Sequence, residues 1–118
     1  MSSLTQSSAW IALQAHQSVI AKSHLRDLFN HDPLRFEKFS LLFNDILLDY
    51  AKQQVTGKTI ELLLALARQQ NLEDWIVRLF SGEKINSTEH RAALHSALRS
   101  DKTVRVDNIN VMPSIKRV

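Results

Sequence analysis

Arg91, His95 and Arg99 recur at four-residue intervals. On a helix that spacing lays two guanidinium groups and an imidazole along one slowly drifting stripe. A positive stripe with a histidine has the charge and donors to bind an anion. The same residue types also serve as scaffold. Glu83 and Glu89 lie close by in sequence, and structural ion-pair networks are common. Pairing with those or another carboxylate, or with backbone carbonyls, is therefore the preferred reading. The other histidines form no comparable set. His90 and His95 are five apart and do not share a helical face as metal ligands would. His16, His24 and His31 fall in separate elements and read as surface or packing residues. The chain has no cysteine, which removes disulfides, thiolate nucleophiles and Cys-based zinc sites.

Composition narrows the class. A length of 118 residues suits one small domain. Hydrophobic residues at 44% and charged residues at 23% are ordinary for a soluble globular chain. The formal net charge of +3 arises from 15 basic and 12 acidic side chains mixed along the sequence. Mixed charge marks a solvated surface, so a pI near 9.5 alone does not argue for a nucleic-acid partner. No apolar run approaches the ~20 residues needed to span a bilayer. Residues Met1 to Ser8 carry no basic n-region, which argues against a secretory leader. The expectation is a cytoplasmic protein with neither a membrane nor a nucleic-acid partner.

Two glycines and two prolines make a chain poor in breakers, hence rich in helix. The expected fold class is mainly α with a small β element (α+β), in a single region over 1–118. A first helix over about 8–23 starts at Ser7 or Ser8 as N-cap and carries Trp10, Leu13 and Ile20. Short turns follow at Leu25–Asn30 and near Arg35, Phe36, Lys38 and Phe39, separated by His31-Asp32-Pro33. Leu41-Leu42-Phe43 and Ile46-Leu47-Leu48 flank Asn44-Asp45, which predicts a short hairpin over 40–50, with an amphipathic helix as the rival. Thr56 caps a helix over 57–69, whose Ile60, Leu63, Leu64 and Ala67 follow helical spacing. Leu62 and Leu66 widen its apolar face, so burial on two sides is expected. A further helix over 72–80 carries Leu72, Trp75, Ile76 and Leu79 and ends at Ser81-Gly82. Both tryptophans read as core. Asn86 and Glu89 resemble a capping box and predict a helix over 87–99, with Leu94, Ala97 and Leu98 facing inward. A short strand is expected at 103–106, then a turn at Asp107-Asn108. Asn110-Val111-Met112-Pro113 opens a last helix with no stop signal before Val118, so the sequence reads as truncated.

The stretch Ser81 to Arg99, SGEKINSTEHRAALHSALR, carries the most specific pattern. It resembles the GEKIN-x-TE-x-RA-x-LH-x-ALR signature of the glucose-6-phosphate isomerase family. Gly82 to Asn86, Thr88, Glu89, Arg91, Ala92, Leu94, His95, Ala97, Leu98 and Arg99 all match. Weaker echoes extend the likeness. Leu48 to Lys52 is similar to the family's LVDYSKN, with Ala51 and Gln53 departing from it. Phe36, Lys38, Phe39 and Ser40 resemble its RF-x-KFS. Trp10, Leu13 and His16 resemble its AW-x-x-L-x-x-H. Val106-Asp107 and Val111-Met112-Pro113 resemble its VDG-x-x-VMP, with Asn108 in place of glycine.

The resemblance implies an enzyme that interconverts glucose 6-phosphate and fructose 6-phosphate by ring opening and proton transfer through a cis-enediol. It implies a homodimer and no metal or organic cofactor. It also implies that the catalytic groups and phosphate loops lie in sugar-isomerase domains that follow the region matched here. No catalytic, cofactor-binding or metal residue is therefore expected within 1–118, and the chain alone is expected to be inactive. Glu83, Glu89 and His95 are expected to be architectural. Asn86-Ser87-Thr88 is formally a glycosylation sequon, and a helix cap is the preferred reading. The alternative function is an independent helical binding module that uses the Arg91–His95–Arg99 stripe.

Overall fold

A computed structural model describes residues 4–117. The first three residues of the polar start and Val118 lie outside the described residues; the last helix, expected to show no stop before Val118, ends at Ile115. The fold is mainly α with a small β element. The chain divides into two compact units, 1–70 and 71–118. The division falls where Gln70 and Asn71 separate two helices, and Asn71 turns the backbone into the left-handed region at φ 53°.

The first unit opens with a 3-10 turn, Leu4–Gln6, and then helix α1, Ser8–Ile20. Ser7 caps α1 by accepting from the Trp10 amide. The helix ends three residues before the expected Ser23. Helices α2, Leu25–His31, and α3, Arg35–Lys38, are short. Strands β1, Ser40–Phe43, and β2, Ile46–Asp49, form the expected hairpin, with Leu41 opposite Leu48 and Phe43 opposite Ile46. Asn44 supplies the turn at φ 50°, a conformation asparagine tolerates better than most residues. The turn chemistry thus decides against the rival helix.

Helix α4, Gly57–Gln69, begins at a reciprocal capping box between Thr56 and Thr59. It packs against α1, and two polar ties set the helices antiparallel. Gln69 accepts from the Ala9 amide at 2.9 Å and donates to Ser8 Oγ at 3.0 Å. At the other end His16 Nε2 lies 2.7 Å from Thr59 Oγ1. Leu63 and Leu64 remain exposed, so α4 is not buried on two sides within the unit.

The second unit opens with α5, Leu72–Ser81. Strands β3, Arg105–Val106, and β4, Ile109–Asn110, pair antiparallel. Asp107 and Asn108 both have positive φ, at 50° and 65°, as a tight two-residue hairpin turn of right-handed twist requires. Helix α6, Met112–Ile115, follows with Pro113 in its first turn. Ala97, Val104 and Met112 form the core of the unit, flanked by Leu94, Val111 and Ile115. Trp75 is 43% exposed and is not core. Its ring lies under the Arg78 guanidinium at 4.3 Å, which makes it a stacking surface for its own helix.

The helix expected over 87–99 does not form. Its predicted start does: the Glu89 amide donates to Asn86 Oδ1 at 3.1 Å, and Asn86 Nδ2 reaches Glu89 Oε2 at 3.4 Å. The chain then turns back on itself. His90 takes φ 54°, and the Asn86 and Arg91 backbones exchange hydrogen bonds in both directions, at 3.1 and 3.3 Å. A helix cannot continue through that closed loop. In the rest of the 87–99 stretch only a 3-10 turn, Ala97–Arg99, forms.

Candidate functional site

The signature segment begins at Gly82, the C-cap of α5, at φ 87°. Two constraints require glycine. Positive φ disfavours any Cβ. A Cβ there would also lie 2.6 Å from the Arg105 carbonyl oxygen and 2.8 Å from Val104 Cγ1. The missing side chain is what lets the end of α5 seat directly on the backbone entering β3.

The charged residues that follow are held by neighbours. Arg78 Nε donates to Glu83 Oε1 at 2.7 Å, with Nη2 2.6 Å from the same oxygen. That bond raises the Arg78 pKa above its ordinary value, with the nearby Asp74 carboxylate a smaller contributor. Lys84 Nζ lies 2.7 Å from Asp107 Oδ2. Asn86 Oδ1 accepts from the Thr88 hydroxyl at 2.8 Å and from the Glu89 amide. The sequon asparagine thus closes a turn and caps no helix. An open hollow of about 460 Å³ lies among Ser81, Glu83, Lys84, Arg105 and Asp107. Its acids and bases are engaged: Arg105 Nη1 donates to the Asn108 carbonyl at 2.9 Å.

Arg91, His95 and Arg99 are not brought onto one stripe. Arg91 sits in the closed loop, His95 in irregular chain, and Arg99 in the 3-10 turn. All three side chains are exposed. Among the described residues Glu83 pairs with Arg78 and Glu89 accepts from Asn86, and neither forms an ion pair with Arg91, His95 or Arg99. The anion-binding reading needed the helix that would align the three side chains. Leu98 is 63% exposed and does not face inward, whereas Ala97 is 1% exposed.

The first unit holds the polar residue that sequence reasoning missed. Arg35 is buried at 2% exposure. Its Nε donates to the Ala51 carbonyl at 2.8 Å, and its Nη2 donates to those of Gln53 at 2.8 Å and Val55 at 2.9 Å. The rings of Phe39 and Phe29 lie 4.6 and 5.5 Å from its Cζ. Only a planar fork of donors can collect three carbonyls from one turn of chain in this way. The signals available were its place beside Phe36 and Phe39 and at the head of the run that resembles the family's RF-x-KFS. A hollow of about 380 Å³ beside it is lined by His24, Asp27, His31, Asp32 and Thr56. These groups serve local structure. His24 Nδ1 accepts from the Arg26 amide, His31 Nδ1 donates to the Asp27 carbonyl at 2.6 Å, and Asp32 binds Lys38 at 2.8 Å.

Among the described residues no Asp or Glu is buried. No group of three or more His, Asp or Glu among them is placed to hold a metal ion. No helix among them is long and apolar enough to cross a membrane.

What the fold defines is a mainly helical α+β region whose most distinctive sequence segment is committed to internal contacts. Comparison with known proteins gives that region its family. The phosphoglucose isomerase family model matches residues 49–118. The chain is 46% identical over 112 residues to a glucose-6-phosphate isomerase of Methylococcus capsulatus, which covers 93% of this chain and 20% of that protein. It is 47% identical over 117 residues to one from Gloeobacter violaceus, covering 98% and 21%. For one from Wigglesworthia glossinidia brevipalpis the identity is 43% over 117 residues, covering 97% and 21%. The chain belongs to the phosphoglucose isomerase family, and it spans about a fifth of the length of these curated relatives.

Proposed function

We propose that this chain is the N-terminal part of a glucose-6-phosphate isomerase and contributes scaffold, not chemistry, to that enzyme. The complete enzyme interconverts glucose 6-phosphate and fructose 6-phosphate in the cytoplasm. It acts as a homodimer without a cofactor, and neither nucleic acid nor membrane is a partner. Moving a proton between adjacent sugar carbons takes a carboxylate base held at the substrate, an acid–base group for ring opening, and a positive group facing the enediolate. The phosphate needs converging donors. The observation that carries the proposal is the engagement of the signature itself. Gly82 is wedged on the β3 backbone, and Glu83, Lys84 and Glu89 are held by Arg78, Asp107 and Asn86. No residue of 1–118 is assigned a catalytic role.

The test is a coupled assay of the purified chain with fructose 6-phosphate. The expected result is no turnover above the buffer control, and measurable turnover that survives repurification overturns the proposal.

A further inference from the structure

We propose that the β1–β2 hairpin is a two-sided insert, buried between two layers of the polypeptide that the longer relatives carry beyond the stretch matched here. This rests on the reading of the chain as part of an isomerase. The register puts Leu41, Leu48, Phe43 and Ile46 on one face and Leu42 with Leu47 on the other. Every one of the six is exposed, from 55% at Leu47 to 70% at Leu42. A hairpin that lies on a core with its other face in water alternates apolar with polar residues. This one does not. Its two continuous apolar runs are the pattern of strands covered on both faces.

The occupant follows from geometry and charge. Among the described residues the sheet has only these two strands, so each also presents an unpaired edge. A second copy related by a two-fold axis buries the same patch on each partner, which covers one face and leaves the other bare. An anionic lipid surface would select Lys or Arg, whereas the charges bordering these runs are Asp45 at the tip and Asp49 at the base. The relatives are about five times as long as their match to this chain. Their additional polypeptide is large enough to supply two apolar layers.

The experiment co-expresses the tagged chain with the four-fifths of the Methylococcus capsulatus isomerase that its match leaves out, in cells lacking their own isomerase. The wild-type chain is expected to retain that polypeptide on the affinity resin. Leu42→Asp with Leu47→Asp charges one face, and Phe43→Asp with Ile46→Asp charges the other. Each pair is expected to lower co-purification at least tenfold. The circular dichroism of the chain alone should be unchanged, because these side chains are exposed. Where an Asp pair disturbs folding, the matching Thr pair replaces it and is expected to weaken retention several-fold. Failure of the wild-type chain to associate overturns the insert. So does retention unaffected by either pair, or a stable dimer of the chain alone that one pair dissolves. Isomerase activity is read from the same eluates. A wild-type complex that forms without converting fructose 6-phosphate overturns the proposed function and not the insert. An active complex that tolerates an Asp pair overturns the insert and not the function.

Discussion

Arg35 and Gly82 do the same work in the two units by opposite means. Each fixes a backbone segment beside a hairpin. Arg35 reaches with a long charged side chain and gathers the carbonyls of Ala51, Gln53 and Val55 after β2. Gly82 offers no side chain, so that the end of α5 can lie against the backbone of Arg105 and the side chain of Val104 at β3. Neither is a conventional core residue, and the apolar cores around them are small. Among the described residues, Phe39 and Ala51 are the buried apolar residues of the first unit, and Ala97, Val104 and Met112 those of the second. Where so little apolar surface is enclosed, single polar or steric fixtures carry a large share of the order.

The comparison predicts the largest loss at Arg35. Arg35→Ala removes three hydrogen bonds and leaves their carbonyls in a partly enclosed site, at a cost of about 3–5 kcal/mol. Lysine keeps the charge but not the fork, so Arg35→Lys should recover only part of the loss. Trp10 reports on the first unit and Trp75 on the second. Urea unfolding followed by Trp10 fluorescence in a Trp75→Phe background measures the effect. An Arg35→Ala midpoint equal to the parent's would mean that the clamp carries no weight.

How much of this was legible from residues depends on the kind of signal. Caps and turns were readable, because Ser7, Thr56, Asn44-Asp45 and Gly82 act through their own local chemistry. The same local chemistry misleads at 86–91. Asn86 and Glu89 make the expected contact, yet that contact also closes a turn, and nothing about His90 announces φ 54°. The role of Arg35 is hidden for a different reason. Its partners are backbone carbonyls 16 to 20 residues away, and carbonyls have no letter in the sequence. The family signature named the family without showing that its residues bind one another.

Gly82→Ala should give the next largest loss, and through another mechanism. The new methyl meets backbone at 2.6 Å, and backbone cannot rotate aside as a side-chain tip can. Strain from positive φ costs about 1–2 kcal/mol, and overpacking adds about 1–3 kcal/mol. The Trp75 signal, read in a Trp10→Phe background, should show the destabilisation while the Trp10 signal of the Trp75→Phe background stays near the parent's. Equal loss in both signals would refute the assignment of each fixture to its own unit.

The smallest expected effect has the opposite sign and sits in the hairpin that Gly82 touches. Asn108 occupies φ 65° at the place where the family resemblance has glycine. Its hydrogen bond from Arg105 is accepted by the backbone carbonyl, so Asn108→Gly keeps it. The substitution relieves left-handed strain but loosens the unfolded chain. The net gain is expected at about 0.5 kcal/mol, because asparagine already tolerates this region better than other side chains. Asn108→Ala, with a Cβ and no such tolerance, should instead lose about 1 kcal/mol. If Asn108→Gly proved destabilising, the asparagine side chain would have a partner that positive φ alone does not explain. Asn108 would then join Arg35 as a residue held for what it binds, and the contrast with Gly82 would extend inside the second unit.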